Sequence, residues 1–190
     1  MAQPKLPPAT ETMSLPSHQL IMTVLMTPDT ANFAGNVHGG TILKLLDQVA
    51  YACASRYAGR YVVTMSVDQV TFKQPIHVGE LITFLSSVNF TGKTSMEVGV
   101  KVLAENIITR EVRHVNSCFF TMIAVDDDRK PIVIQTFIPQ TEDELRRHES
   151  AKIRKELRQE FSVKHDSLKK KRQLKVEAKP VDPGTLGIRV

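Results

Sequence analysis

The chain has 190 residues, 42% of them hydrophobic and 24% charged, which is typical of one soluble globular domain with its own core. No apolar run approaches the roughly 20 residues that span a bilayer, and the first residues lack the apolar core of a signal peptide, so we expect a cytoplasmic protein. The formal net charge of +5 lies largely after residue 145, and no helix-turn-helix, zinc-finger or RNP-type pattern indicates a dedicated nucleic-acid-binding protein.

The first half of the chain predicts a flexible arm, one strand and one apolar helix. Residues 1–17 hold several prolines and predict the arm. The strand covers residues 18–26 and ends at a Thr-Pro-Asp turn. The helix covers residues 41–57 and ends at Gly59. Apolar side chains occupy most of its circumference, so we expect it to be buried and wrapped by a sheet.

Four strand-like segments follow without another helix, over residues 60–73, 81–91, 94–105 and 110–125. This order predicts an α+β fold in which an antiparallel sheet wraps around one long central helix. Such a single layer leaves an outer face and edge strands uncovered, and no internal repeat supplies a second copy. We therefore expect the sheet to be paired across a subunit interface.

The last part of the chain predicts a basic peripheral helix over residues 141–175 and a flexible tail over 176–190, so the folded domain covers 18–140. The basic run Lys169-Lys170-Lys171-Arg172 is typical of a solvated helix. It could also attract a phosphorylated ligand or bind nucleic acid non-specifically. Cys53 and Cys118 lie among apolar neighbours without a pairing pattern, which indicates reduced core thiols.

The polar loop that runs into the first helix carries the strongest chemical signal. Gly39 and Gly40 at a helix start allow a ligand to approach the backbone closely. The free N–H groups there suit a developing oxyanion. Asp47 lies two turns further along beside apolar side chains, and partial burial would make it a better base for water. A solvated carboxylate paired with Lys44 is the alternative, and the residues alone leave both open.

Other polar residues near this loop allow two interpretations each. The amide of Asn32 could orient a water or polarise a carbonyl, or it could only form a turn. Asn36 is the rival asparagine, and its place beside a glycine suggests loop shaping. His38 could be a catalytic base, although a lone loop histidine is more often structural. Asp68 is a second carboxylate, for which we expect a structural hydrogen bond or a charge at an interface.

The spacing of these residues matches a known family. The run Asn32-x-x-Gly35-Asn36-Val37-His38-Gly39-Gly40-x-Ile42-Leu43, followed by Asp47, resembles the hotdog-fold acyl-CoA thioesterases of the brain acyl-CoA hydrolase and YciA-type group. Three later blocks strengthen the resemblance, which covers roughly residues 18–140: Val67-Asp68-x-Val70-x-Phe72-x-x-Pro75-Ile76-x-x-Gly79, Gly92-Lys93-Thr94-Ser95-Met96-Glu97-Val98 and Val115-Asn116-Ser117-Cys118-Phe119.

The resemblance implies hydrolysis of a fatty acyl-CoA to a free fatty acid and CoA. The sequence has no metal-ligand cluster and no nucleotide-binding glycine-rich motif, so we expect no cofactor and no metal. The resemblance implies that Asp47 activates water or attacks the thioester, and that Asn32 of one subunit works with Asp47 of its partner. The Gly39–Gly40 helix start would hold the oxyanion, and His38 would support the loop or line the pocket. It also implies a homo-oligomer, and we expect a hexamer built as a trimer of dimers.

The sequence leaves three points open: the residues that bind the CoA phosphates, the choice between rival functions and the acyl chain length. Lys93, Arg110 and Arg113 are candidate partners for the CoA phosphates, or they decorate a solvated edge. A hotdog hydratase or dehydratase, with His38 and Asp47 as its histidine and carboxylate, is one rival function. The other is a module that senses acyl-CoA without turnover and uses residues 141–175 to bind nucleic acid, which salt would weaken steeply. The preferred acyl chain length is not predicted.

Overall fold

The computed structural model describes residues 15–177. Residues 1–14 of the predicted arm and 178–190 of the predicted tail lie outside the described residues. A short 3-10 turn (Pro28–Thr30) follows the first strand, and the remaining elements are β1 (Gln19–Leu25), α1 (Gly39–Ala58), β2 (Val62–Val67), β3 (Leu81–Thr91), β4 (Ser95–Glu105), β5 (Val112–Ala124) and α2 (Glu142–Glu177).

All strand pairs are antiparallel, and the five strands form one sheet in the order β1-β3-β4-β5-β2. The order of elements and the hotdog fold class predicted above are confirmed. Hairpins join the long central strands. Gly92 N–H donates to the Ser95 carbonyl in the first hairpin, and Asn106 N–H donates to the Glu111 carbonyl in the second. The short strands β1 and β2 lie at the two edges, where each leaves one side of its backbone without a strand partner among residues 15–177.

The core lies between one face of α1 and the inner face of the sheet. Ile42, Leu46, Val49 and Cys53 on the helix are buried, together with Phe84, Val98, Phe120 and Met122 on the strands. Burial of each such side chain contributes about 1.5–3 kcal/mol. The two cysteines are free thiols, and burial raises the pKa of Cys53 to about 11.

The expectation that α1 is buried around most of its circumference is wrong for the single chain. One side of the helix is exposed, and it includes Leu43 at 42% exposure and Tyr51 at 39%. The sheet is a single layer and covers only one side of the helix, so apolar side chains on the other side have no cover from described residues of this chain. This exposed side also carries Asp47.

The strand predicted over residues 60–73 is shorter than expected, because β2 ends at Val67. The segment that follows still runs beside β5: Asp68 N–H donates to the Phe119 carbonyl, and Lys73 N–H donates to the Val115 carbonyl. Between these two bonds the Asn116 side-chain amide donates to the Thr71 carbonyl at 3.0 Å. A side chain therefore replaces the ladder bond that a regular strand would make.

The start of α2 is tied to the sheet domain. Thr141 and Glu144 form a capping box, in which Thr141 Oγ1 accepts from Glu144 N–H and Glu144 Oε2 accepts from Gln140 and Thr141 N–H. Glu144 Oε1 also lies 2.8 Å from Nε2 of His18, the residue before β1. The chain divides into two compact units after His148.

The arm predicted over residues 1–17 is held at its end. The Arg56 guanidinium donates to the carbonyls of Leu15, Pro16 and Gln19. Neither helix within residues 15–177 combines the length and the apolar content that a membrane span requires.

Candidate active site

The loop before α1 is shaped by the side chain of Asn32. Its Oδ1 accepts from the N–H groups of Ala34 at 2.9 Å and Asn36 at 3.1 Å, and its backbone N–H donates to the Asn36 carbonyl at 2.6 Å. Gly35 sits at the tip with φ 80°, a conformation that favours glycine. The Asn32 oxygen therefore serves the turn, while its amide N–H₂, without an acceptor among the described residues, can donate to a ligand.

Asn36 links this loop to the segment before β3, as expected for a loop-shaping residue. Asn36 Oδ1 lies 2.9 Å from His77 Nδ1, and the two residues also form a backbone bridge. His77 N–H in turn donates to Glu80 Oε2 at 2.8 Å. The loop that carries Asn32 is thus fixed on both sides, by its own turn and by the His77–Glu80 segment.

The start of α1 is capped by His38. Its Nδ1 accepts from Gly40 N–H at 2.9 Å, and its carbonyl accepts from Thr41 and Ile42 N–H. A Cβ at position 40 would lie 3.0 Å from this Nδ1, so a side chain there would crowd the capping ring. The Gly39 N–H has no acceptor among residues 15–177. Of the two predicted oxyanion donors, Gly40 is already bound and Gly39 is available.

Asp47 lies on the exposed side of α1 and accepts a hydrogen bond from the Thr64 hydroxyl of β2 at 2.7 Å. Its partner among the described residues is Thr64 and not Lys44. The carboxylate is exposed in the single chain, so none of the described residues gives it the partial burial that would make it a better base.

Thr64 is a candidate site residue that sequence patterns did not indicate. It pairs with the buried Met122, so its side chain is on the face of β2 that meets α1. A β-bulge follows at once, with Met65 as the extra residue between Thr64 and Ser66. Threonine is common in strands, and the bulge has no sequence signature, so only the three-dimensional structure shows the contact with Asp47.

The helix keeps Asp47 far from its own oxyanion donor. Asp47 follows Gly39 by eight residues, which corresponds to roughly 12 Å along the helix axis. A reacting carbonyl needs a donor at about 3 Å and a base or nucleophile at a similar distance. One thioester cannot satisfy both within a single chain. His38 precedes Asp47 by nine residues and lies still further from it, which disfavours an intrachain dehydratase pair.

The three cations predicted to meet CoA phosphates have different surroundings. Lys93 is exposed in the β3–β4 turn. Arg110 lies before β5 in the turn and not on the strand as expected; it is 82% exposed and 3.8 Å from Glu105. Arg113 is on β5, but its guanidinium binds Glu80 at 2.5 and 2.7 Å and the Pro75 carbonyl at 2.8 Å. Lys93 and Arg110 are accessible to a phosphate, whereas the Arg113 guanidinium is engaged.

The Arg113–Glu80 pair holds the segment before β3 against β5. Burial alone would raise the pKa of the Glu80 carboxyl, but hydrogen bonds from Arg113 and His77 N–H outweigh burial and hold that pKa below its usual range. Glu80 also raises the pKa of Arg113 by hydrogen bonding. Asp68, the other carboxylate considered above, is half-buried beside β5. Among the described residues no group of histidines, cysteines and carboxylates could hold a metal ion.

Comparison with known proteins places this site in a family. Residues 34–110 match the family model described as "Thioesterase superfamily". Protein VdlD of Helicobacter pylori is 55% identical over 140 residues, which cover 74% of this chain and 80% of that protein. The chain belongs to the thioesterase superfamily. It is a thioester hydrolase of the hotdog type, as its residues predict.

Further relatives of this thioesterase carry names that state a substrate. The cytosolic acyl coenzyme A thioester hydrolase of Rattus norvegicus is 35% identical over 156 residues, which cover 81% of this chain and 40% of that protein. A crystal structure of an apo-hexameric acyl-CoA thioesterase superimposes with a TM-score of 0.74 at 39% identity, covering 76% of this chain and 92% of that chain.

The acyl-CoA hydrolase of Staphylococcus aureus has been solved in complex with butyryl coenzyme A and coenzyme A. It superimposes on this thioesterase with a TM-score of 0.71 at 26% identity, covering 85% of this chain and 95% of that chain. Structures of its variants include single replacements of an aspartate, a threonine and an asparagine by alanine.

Proposed function

We propose that the protein is an acyl-CoA thioesterase that hydrolyses a fatty acyl-CoA to a free fatty acid and CoA at a site shared by two subunits. The observation that carries this proposal is the separation of Gly39 from Asp47 by roughly 12 Å along one helix. The names of the relatives support acyl-CoA as the substrate.

In the proposed site, one subunit supplies the Gly39 N–H and Asn32, and its partner supplies Asp47. The thioester oxygen accepts from Gly39 N–H, which lies at the positive end of the α1 dipole. The Asn32 amide donates to the attacking water or to the same carbonyl. The sequence-based assignment of Gly40 as a second oxyanion donor changes, because its N–H serves the His38 cap; Gly40 instead makes room for that cap.

Asp47 acts as the general base in this proposal. Water attacks the carbonyl carbon as its proton moves to Asp47, the C–S bond breaks, and the CoA thiolate leaves and takes up a proton. The Thr64 hydroxyl at 2.7 Å holds the Asp47 carboxylate in one orientation. Direct attack by Asp47 on the carbonyl is the alternative route. The S. aureus variants replace the same three residue types that we assign here, aspartate, threonine and asparagine.

A second copy of the chain would cover the apolar surface around this site. The edge strand β2 exposes Val63, Met65 and Val67, and α1 exposes Leu43 and Tyr51. Pairing of β2 with a partner would satisfy its free backbone edge and bury these side chains together with Asp47. We propose that the acyl chain lies along this apolar surface, and that three such dimers form a hexamer like that of the related acyl-CoA thioesterase.

The remaining assignments follow from the same model of the reaction. Lys93 and Arg110, both accessible, are proposed to meet the CoA phosphates. The proposed reaction uses only acyl-CoA and water, without a cofactor or a metal. We also propose a cytoplasmic location, which the cytosolic rat relative supports.

The assay for this proposal is the release of free CoA thiol from acyl-CoAs of C2 to C18, with the wild type and Asp47→Ala. We expect wild-type turnover and a loss of at least about 10²-fold in Asp47→Ala, with the oligomer intact. Turnover that survives in Asp47→Ala would remove our assignment of the base. Binding of acyl-CoA without thiol release would favour the sensing module.

A further inference from the structure

The outer face of the sheet, opposite α1, carries a cavity of about 510 Å³. Its floor follows from strand register: two rows of outward-facing residues cross the four strands β1, β3, β4 and β5. One row is Ile21, Leu85, Lys101 and Ser117. The other is Gln19, Ser87, Gly99 and Phe119. Side chains alternate between the two faces of a sheet, so this cavity and the catalytic helix lie on opposite sides of it.

Gly99 allows two other side chains to approach the backbone in this part of the face. A Cβ there would lie 2.4 Å from the Asn89 amide nitrogen and 3.3 Å from the Phe119 ring. The missing side chain of Gly99 thus leaves room for both of these side chains next to its backbone. Asn89 reaches this position because it is the extra residue of a bulge in β3, and it is held by Ser87 Oγ at 2.8 Å. The floor therefore carries the Phe119 ring in one row and the aliphatic Ile21 and Leu85 in the other.

Cationic side chains line the other side of the cavity. Arg146 and Arg147 come from the first turns of α2, and Asp143 beside them binds Arg146 at 3.1 Å. Arg147 is half-buried, yet it has no hydrogen-bond or ion-pair partner among the described residues. Lys101 on the floor also has none in that part of the chain. A half-buried guanidinium is normally paired, so its surroundings favour an anion.

We propose that this cavity binds the anion of a long-chain carboxylic acid, with the carboxylate on Arg147 and Lys101 and the hydrocarbon over Leu85, Ile21 and Phe119. This inference rests on the proposed function, because such an anion is the product of acyl-CoA hydrolysis. It adds a product-binding site on the face of the sheet opposite the catalytic helix.

The distribution of charge favours this ligand over a nucleotide. A planar guanidinium binds a carboxylate through two parallel hydrogen bonds, and Lys101 adds a second positive charge. Leu85 and Ile21 are neighbours on adjacent strands and offer an apolar surface beside these charges. A nucleotide would place ribose and diphosphate groups against that apolar surface, which is unfavourable without hydrogen-bond partners.

The test is calorimetric titration of the full-length protein with dodecanoate and, for comparison, with uncharged dodecanol. Arg147→Glu and Lys101→Glu remove the proposed partners, and Lys130→Glu makes the same change of charge at an exposed lysine outside the cavity. We expect each of the first two to weaken dodecanoate binding by about tenfold or more, since a hydrogen bond to a charged group is lost in each. The control should bind like the wild type, and dodecanol should bind more weakly than dodecanoate.

Unchanged affinity in both cavity variants would overturn the proposal, as would equal binding of dodecanol or no binding by the wild type. Circular dichroism and oligomeric state confirm that each variant is folded, and Arg147→Gln replaces Arg147→Glu if the latter is not. The titration does not depend on turnover. A protein that binds dodecanoate at this cavity but releases no CoA thiol would retain this site and lose the proposed catalytic function.

Discussion

The Nδ1 atom of His38 accepts a hydrogen bond from the backbone N–H of Gly40 at 2.9 Å. The histidine that precedes the two glycines is therefore the N-cap of α1, and its ring accepts the hydrogen bond that Gly40 N–H could otherwise donate to a ligand. This arrangement leaves one N–H at the helix start for a ligand, and it gives His38 a role that needs no proton transfer.

Replacing His38 separates a capping role from an acid–base role. Asparagine is a good N-cap residue, so His38→Asn should keep kcat within a few-fold of the wild type, whereas His38→Ala should lose about 1 kcal/mol of stability and part of its kcat. Thermal unfolding and thiol release measure the two effects. A hydratase or dehydratase that uses the imidazole would instead lose its activity in both variants.

The Thr64–Asp47 hydrogen bond should act on turnover more than on stability. Thr64→Val keeps the shape of the side chain and removes the hydroxyl, so we expect kcat to fall about tenfold or more while KM changes little. Thr64→Ser retains the donor and serves as the matched control. Equal kcat values for the valine and serine variants would show that the orientation of Asp47 does not depend on this bond.

Mixing two inactive variants tests whether the site is shared. Asn32→Ala and Asp47→Ala subunits that assort at random should recover about one quarter of the wild-type activity, because each mixed dimer contains one intact site. The mixture has to be refolded or co-expressed so that subunits exchange. Activity that stays at the level of the separate variants would place both residues of a site in one chain.

The Glu80–Arg113 pair predicts a dependence of stability on pH. A carboxyl whose pKa is lower in the folded protein stabilises the fold above its unfolded pKa, and this contribution is lost as the pH falls through the folded value. The free energy of unfolding should therefore decrease below about pH 4. Urea unfolding at several pH values measures it. Glu80→Gln should lower stability by about 3 kcal/mol at neutral pH and flatten this acid dependence.

Sequence patterns predicted the scaffold well, because its signals are local. The predicted bounds of β3 agree with the structure at both ends. Its residues alternate between buried and partly buried positions, and the turn at Gly92 ends the strand. The predicted start of α1 at Thr41 is two residues late, because a histidine N-cap followed by two glycines is not a typical helix start.

The parts of the site that escaped prediction depend on contacts distant in sequence. Thr64 meets Asp47 only because β2 joins the far edge of the sheet beside α1. For Arg113 the sequence leaves a CoA phosphate and a solvated edge open, but the guanidinium pairs with Glu80, and no local pattern indicates that pair. The sequence predicts that the exposed side of α1 is part of the core, because the residue types of an apolar interaction surface are the same as those of a protein interior.

The number of residues between Gly39 and Asp47 in α1 fixes both the distance and the rotation between them. One residue inserted there would turn Asp47 by about 100° around the helix axis, away from Thr64 and from the surface offered to a second molecule. A substitution in this stretch alters the packing only slightly, whereas an insertion or deletion moves the Asp47 carboxylate to another side of the helix. In any protein built on this plan, we therefore expect the composition of the stretch to drift while its length stays constant.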